Sequence, residues 1–183
     1  MSTNEQIPVL ETERLILRGH RRSDFSECAA MWADPIVVAH ISGTPSTREQ
    51  AWSRFLRYAG HWHHLGFGYW VVETRHDGQF VGEVGFSDYC RDVSPTFDGV
   101  PEAGWVLKTS AHGQGIATEA VRRMLAWADA SLDGPSTVSL FDPENHASIA
   151  VAKKVGFGDQ IMGRCAGLPT LIMQRANPRR SAG

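Results

Sequence analysis

The feature that most constrains this chain is the stretch GYWVVETRHDGQFVGEVGFS (Gly68–Ser87), in which runs of strand-forming residues meet at Asp77-Gly78. An Asp-Gly pair between such runs is the strongest short-range signal for a hairpin, and a hairpin makes its strands antiparallel neighbours. A further strand pattern, EAGWVLK (Glu102–Lys108), follows, and then SAHGQGIATEA (Ser110–Ala120), a glycine-bearing loop feeding a helix. Antiparallel strands ahead of a strand–loop–helix unit argue against a doubly wound nucleotide fold, which opens with a parallel βαβ unit.

Around this centre the periodicities predict the remaining elements. ERLILRG (Glu13–Gly19) reads as a first strand, and Ser23 as the cap of a helix carrying Phe25, Cys28, Ala29 and Trp32, ending before Pro35. Ser46 and Glu49 have the spacing of a capping box, opening a helix with Trp52, Phe55, Leu56, Ala59 and Trp62 on its apolar face and Gly66 at its end. Asp88 to Pro101 is expected to be a surface loop. Ile116, Ala117, Ala120, Val121, Met124, Leu125, Ala128 and Leu132 trace an amphipathic helix closed by Gly134-Pro135. STVSLF (Ser136–Phe141) is a strand, PENHASIAVAKKVGF a short helix ending at Gly156, and LPTLIMQR (Leu168–Arg175) the last strand. The expected order is β-α-α-β-β-β-α-β-α-β, a mixed α+β fold in one domain over residues 10–175 with a disordered tail over 176–183.

Composition narrows the partners. With 183 residues, a net charge of -2 and a pI near 6.4, the chain lacks the basic footprint of a nucleic-acid binder. Cys28, Cys90 and Cys165 are scattered and odd in number, which suits a reducing compartment, and the opening residues lack a secretory pattern. No apolar run is long enough to span a bilayer. A cytoplasmic protein without a membrane partner is expected.

The glycine loop is the first chemical candidate. Gly113 and Gly115 let backbone amides approach an anion, and the helix start behind them adds unpaired N–H groups and a favourable dipole. No G-x-x-x-x-G-K-[ST] string is present, and the third glycine of a dinucleotide fingerprint would fall on Thr118. On spacing alone a plain strand-to-helix turn is an equal alternative. In HWHHLGFG (His61–Gly68), His61 and His64 share a helix face, but a zinc site needs more ligands, so a polar helix end is expected and no metal.

A second segment, ENHASIAVAKKVGF (Glu144–Phe157), places Asn145 at a helix start, Ser148 one turn on and Gly156-Phe157 at the end. With the glycine segment at His112–Ala117 and the opening LETERLILR (Leu10–Arg18), it resembles the GNAT acyltransferase superfamily, in the branch of the ribosomal-protein N-terminal acetyltransferases. The resemblance runs from Leu10 to about Arg175. It implies a mostly antiparallel sheet flanked by helices and acetyl-CoA as co-substrate. The pyrophosphate of coenzyme A would lie on the amides of Gly113, Gln114, Gly115, Ile116, Ala117 and Thr118, beside His112. The pantetheine arm would pair with the backbone of Val106 and Leu107, Asn145 would bond the arm's amide, and Lys154 would meet a phosphate. His112 stands where the motif has arginine or glutamine. Ala152 stands where many relatives place a tyrosine that protonates the leaving thiolate, which leaves Ser148 as the candidate acid.

Acetylation of an amine needs the neutral nucleophile, hence a base. Glu102, opening the strand that would hold the thioester, is the first candidate, and Glu83 on the hairpin the second. The expected activity is N-acetyl transfer to a small-molecule amine or a protein N-terminus by direct attack in a ternary complex, with a homodimer left open. A non-catalytic acyl-CoA sensor of the same fold is the alternative.

Overall fold

The computed structural model describes residues 7–180. Its centre is a nine-stranded sheet. The strands are β1 (Leu10–Glu11), β2 (Leu15–Arg18), β3 (Tyr69–Thr74), β4 (Phe80–Ser87), β5 (Val93–Ser94), β6 (Glu102–Leu107), β7 (Ser136–Phe141), β8 (Asp159–Cys165) and β9 (Leu168–Ala176). They lie in the order β1-β2-β3-β4-β6-β7-β9-β8-β5. Every neighbouring pair is antiparallel except β6 and β7. The expected hairpin is β3–β4, with Gly78 in the left-handed region at φ 68°.

The helices are α1 (Phe25–Trp32), α2 (Pro35–Val38), α3 (Arg48–Leu65), α4 (Ile116–Ser131) and α5 (His146–Lys154). Ile116, Ala120, Val121, Met124, Leu125 and Ala128 of α4 are buried and join Val84, Phe86, Leu107 and Phe141 of the sheet in the main core, with Ala152 and Phe157 from the α5 segment. On the opposite face Met31, Trp32, Val37 and Val38 pack on Val106. Alternation along β4 and β6 decides which side chains go where. Val84, Phe86, Ala103 and Leu107 turn to the α4 core, whereas Glu83, Ser87, Glu102 and Val106 turn to α1 and α3.

Several element boundaries depart from the periodicities. Ser23 is not a cap: it lies in a 3-10 turn, Arg22–Asp24, and Asp24 is buried against Arg18 and the Arg21 amide. Pro35 lies just beyond the end of α1 at Trp32, as expected, and it also opens a helix of its own, α2, because the first helical position needs no N–H. The capping box of α3 is Thr47 with Gln50, one residue beyond the expected Ser46 and Glu49; Ser46 Oγ instead accepts from Arg54 Nη1 at 3.2 Å. Leu56 is 51 % exposed and stands outside the core. The expected 88–101 loop contains β5, and β8 joins β9 in a hairpin that the sequence did not announce. The tail does not begin at residue 176. Ala176 is the last residue of β9, and the buried Asn177 donates its backbone amide to Pro135 O. Residues 181–183 lie outside the described residues. Among those described, no helix is long and apolar enough to cross a membrane.

Candidate active site

The site begins where the sheet comes apart. β7 pairs along its whole length with β9, from Ser136 with Ala176 to Phe141 with Leu171. With β6 it shares a single paired position, Glu102 with Val138. Beyond it Ser139 Oγ still reaches Ala103 O at 2.8 Å, and then the strands diverge. Trp105 fills the floor of the opening, its ring 5.6 Å from Phe141 and 6.4 Å from Phe157. The indole acts as a wedge between the two halves of the sheet.

The diverging edge exposes backbone groups at alternate residues. Lys108 N donates to Val81 O, so the residues two and four positions before it, Val106 and Gly104, also exchange their bonds with β4. Val106 therefore does not offer its backbone to the gap. Trp105 and Leu107 do. Leu107 O accepts from His112 Nε2 at 3.0 Å, which places the imidazole as a brace between the end of β6 and the loop.

That loop runs through a 3-10 turn, Thr109–Ala111, to α4. Gly113 and Gly115 both lie in the left-handed region, at φ 74° and 76°, and a Cβ at either position would meet no backbone atom within 4 Å. Their glycine requirement is thus conformational, rather than one of crowding within the protein. Gly115 is the N-cap of α4 and has no side chain to satisfy the first amides. Ile116, Ala117 and Thr118 consequently open the helix with uncapped N–H groups, an anion-binding arrangement. The loop is tied down from the other end of the sheet. Arg14 Nη1 donates to Gln114 O at 3.1 Å and Arg14 Nε to Glu119 Oε2 at 2.7 Å, while Thr12 Oγ1 donates to Glu119 Oε1 at 2.6 Å. Burial pushes the Glu119 carboxyl up, but the bonds from Thr12 and Arg14 outweigh it and hold it below the usual carboxylate range. These ties were not among the sequence candidates. Thr12, Arg14 and Glu119 all stand in the motifs quoted above, but nothing in the sequence pairs segments about a hundred residues apart.

The other bank of the gap is the start of α5. Asn145 Oδ1 caps the helix by accepting from Ser148 N at 3.1 Å, which leaves its Nδ2 without a partner among the described residues. Ser148 is half-buried and Lys154 exposed; the Lys154 carbonyl accepts from Arg122 of α4. The structure thus gathers Leu107, His112, Gly113 to Thr118, Asn145 and Ser148 around one opening, with Lys154 at the far end of α5.

The two candidate bases occupy the opposite face, toward α1 and α3, and differ in their partners. Glu102 is 8 % exposed and takes a bidentate pair from Arg91, Nε at 2.7 Å and Nη2 at 3.0 Å. Glu83 is fully buried: His20 Nε2 donates to Oε1 at 3.0 Å, while Trp32 Nε1 at 2.9 Å and Tyr58 Oη at 3.1 Å donate to Oε2. Burial raises its pKa, yet the His20 bond and charge and the Trp32 bond outweigh that and keep the carboxyl below its usual range. Between the two glutamates the Tyr69 hydroxyl lies against Gly104, where any Cβ would collide with it. Burial, reinforced by Tyr89 and Glu102, pushes the Tyr69 pKa well above 10 and keeps that hydroxyl neutral.

His20, Cys28 and Glu83 bring potential metal-ligand atoms within 4.8 Å of one another. Protein donors already occupy Glu83, and burial beside that carboxylate raises the Cys28 pKa so that the thiol stays protonated, so the cluster is accounted for as a buried polar network. His61 and His64 do not converge. His61 is buried with Nε2 on Asp88 O at 3.1 Å, and His64 is exposed.

Comparison with known proteins supplies the wider frame. The acetyltransferase from Agrobacterium tumefaciens str. C58 is 28 % identical with a TM-score of 0.80, over 95 % of this chain and 97 % of that one. The uncharacterized N-acetyltransferase p20 of Bacillus licheniformis is 27 % identical over 152 residues, 81 % of each chain. The spermidine N-acetyltransferase from Vibrio cholerae, solved in complex with CoA and spermine, shares the fold at 15 % identity, with a TM-score of 0.71 over 92 % of this chain and 99 % of that one. The model of the acetyltransferase (GNAT) domain matches residues 14–158. That span holds the diverging strands, the glycine loop and the start of α5, and the chain belongs to the GNAT acetyltransferase family.

Proposed function

We propose that this protein transfers an acetyl group from acetyl-CoA to an amine by direct attack in a ternary complex. The observation that carries the proposal is the pairing of a free strand edge with an uncapped helix start a few residues along the same chain. The backbone of Trp105 and the N–H of Leu107 suit an amide-bearing arm added as a strand, as backbone pairing does in other strand-addition complexes. The amides of Gly113, Gln114, Gly115, Ile116, Ala117 and Thr118 suit a pyrophosphate. Asn145 Nδ2 is free to donate to the arm, and Lys154 supplies a cation near α4. His112, bonded to Leu107 O, is assigned to holding the loop rather than to a phosphate.

In this scheme the amine enters from the α1–α3 face and its nitrogen attacks the thioester carbon. The C–S bond then breaks and the sulfur leaves as thiolate. Glu102 is assigned as the base. It must release one of its two bonds to Arg91 to take the proton, so arginine and carboxylate act as a pair. Ser148 is assigned as donor to the departing sulfur, whose pKa near that of a free thiol, about 8.5, makes strong acid assistance unnecessary. A backbone N–H of the open β6 edge serves the oxyanion.

The test is thiol release from acetyl-CoA across a panel of amines, run beside a thermal shift with acetyl-CoA alone. Turnover with at least one amine supports the proposal. A thermal shift without turnover on any amine favours a sensor of acyl-CoA, the reading suggested by the engagement of both glutamates and by Ala152.

A further inference from the structure

Two central strands carry a glycine in their interiors, Gly85 in β4 and Gly104 in β6. Glycine weakens a strand, and such a position often marks a close approach to the backbone. Here the two are paired with each other, and Gly85 is paired in turn with Tyr69 of β3, so the three residues form one row across three strands. Residues in such a row share a face of the sheet. This one lies on the α1–α3 face, between the row of Glu102 with Ser87 and that of Glu83 with Val106. The Tyr69 side chain runs along the row. It passes Gly85 and ends over Gly104, where a Cβ would collide with its hydroxyl.

The ring of Tyr69 is held, but its hydroxyl is not. The ring stacks on that of Tyr58, with 4.6 Å between centres and 16° between planes, and Tyr69 as a whole is 7 % exposed. The Tyr58 hydroxyl in the same stack donates to Glu83. That of Tyr69 has no hydrogen-bond partner among the described residues. Nor is it sealed from solvent, since the sealed and unpaired side-chain atoms there are His61 Nδ1 and Thr137 Oγ1. A polar group this deep in a protein is as a rule paired, so a rigid hydroxyl without a protein partner suits a ligand.

We infer that Tyr69 is a further residue of the reaction site, its hydroxyl oxygen accepting an N–H of the acceptor amine. The inference rests on the acetyl-transfer reading, in which the amine arrives on this face, and it narrows the acceptor to a primary amine. An attacking nitrogen must aim its lone pair at the thioester carbon. A primary amine then has two N–H groups to be held. One faces Glu102, two residues before Gly104 on the same face, and its proton passes to that carboxylate as the C–N bond forms. The other rests on Tyr69. The C–S bond breaks with its electron pair on sulfur. Tyr69 exchanges no proton, because burial keeps its phenol neutral. A secondary amine has a single N–H, which can serve the base or the hydroxyl but not both.

The experiment measures kcat/KM with acetyl-CoA for the fastest primary amine of the panel beside its N-methyl derivative. Wild type should favour the primary amine by about tenfold or more. Tyr69→Phe keeps the ring on Tyr58 and removes only the oxygen. It should slow the primary amine by about five- to tenfold, the effect of one lost hydrogen bond, and leave the N-methyl derivative unchanged. Its pH–rate profile should keep the wild-type shape at reduced height, because no group that titrates in the reaction is lost. The acetyl-CoA Kd and the melting temperature should stay at wild-type values, which separates the effect from misfolding. Tyr58→Phe is the control: it removes the neighbouring hydroxyl of the same stack and should leave the ratio of the two amines unchanged. Equal wild-type rates for the two amines, a Tyr69→Phe variant that keeps the wild-type ratio, or a Tyr58→Phe variant that loses it equally would each overturn the inference. Failure of every amine to react with wild type would instead overturn the acetyl-transfer reading itself, and the inference with it.

Discussion

Glu102 and Ser148 are the residues whose assigned roles make opposite predictions with pH. A base matters most where the amine is mainly protonated, so Glu102→Gln should lower kcat/KM by about 100-fold near neutral pH and recover as the pH approaches the amine's own pKa. Ser148→Ala should lose about 10-fold or less, with little recovery on the same limb, because the thiolate leaves adequately unaided. Both follow from pH–rate profiles on one good acceptor. A Glu102→Gln profile that matches wild type throughout moves the base elsewhere. Glu102 was legible in the sequence because a carboxylate opening a predicted strand has a definite place. Its partner Arg91 was not, since it lies in a segment read as loop, whose path no periodicity fixes. Val106 was placed one residue out. Which edge of a strand faces a gap depends on hydrogen-bond phase with β4, and a single strand's pattern carries no such phase.

At the scale of elements, the loop into α4 works as a unit with its ties to the turn between β1 and β2. Gly115 sits at φ 76°, where a β-branched side chain is strongly disfavoured, by more than the roughly 1–2 kcal/mol of an ordinary residue. Gly115→Val should therefore reorient the first amides of α4 and raise the acetyl-CoA Kd by at least about tenfold in calorimetry, while far-UV circular dichroism stays native. Unchanged affinity would remove the anion site from this loop. Glu119 links the same loop to Thr12 and Arg14, and its pKa is held below the usual carboxylate range. A depressed carboxylate stabilises the fold above its unfolded pKa, and that contribution is lost as the pH falls through the folded value. Glu119→Gln should accordingly lower the urea midpoint at pH 7 and narrow its gap from wild type near pH 3. A constant gap at both pH values would count against the charge as the source. The helices α3 and α4 were legible because one face of each is buried and the sequence must repeat with the right period, and the β3–β4 hairpin, whose strands are buried on both faces, was legible from its Asp77-Gly78 turn. β8 was not: most of its residues are exposed, Ile161 and Met162 among them, so burial imposes no alternation on it.

For the whole molecule, the question is what keeps a single sheet open in its middle. On one side β1, β2, β3, β4 and β6 form a continuous antiparallel set, and on the other β7, β9, β8 and β5 form a second. They are joined at Glu102 with Val138 and by the Ser139 bond to Ala103, and beyond that point Trp105 stands between them against Phe141 and Phe157. Two strands with free edges close together gain backbone bonds by zipping, so a persistent gap needs a volume that resists closure. Trp105 supplies it from the floor, and α4 and α5 pack on the same aromatic cluster from below. Trp105→Ala should cost about 2–4 kcal/mol, somewhat less than removal of a fully buried tryptophan, because the ring is only half-buried. Its larger effect should be on binding. With the wedge removed, β6 and β7 can approach, and the acetyl-CoA Kd should rise more than the stability loss alone explains. Trp105→Phe, which keeps an aromatic ring against Phe141, should restore most of the affinity while remaining less stable than wild type. Calorimetry of acetyl-CoA binding, well below the melting temperature of each variant, separates the two effects. An alanine variant that is destabilised yet binds with wild-type affinity would show that the gap is set by the strand directions and the helices, and not by this side chain.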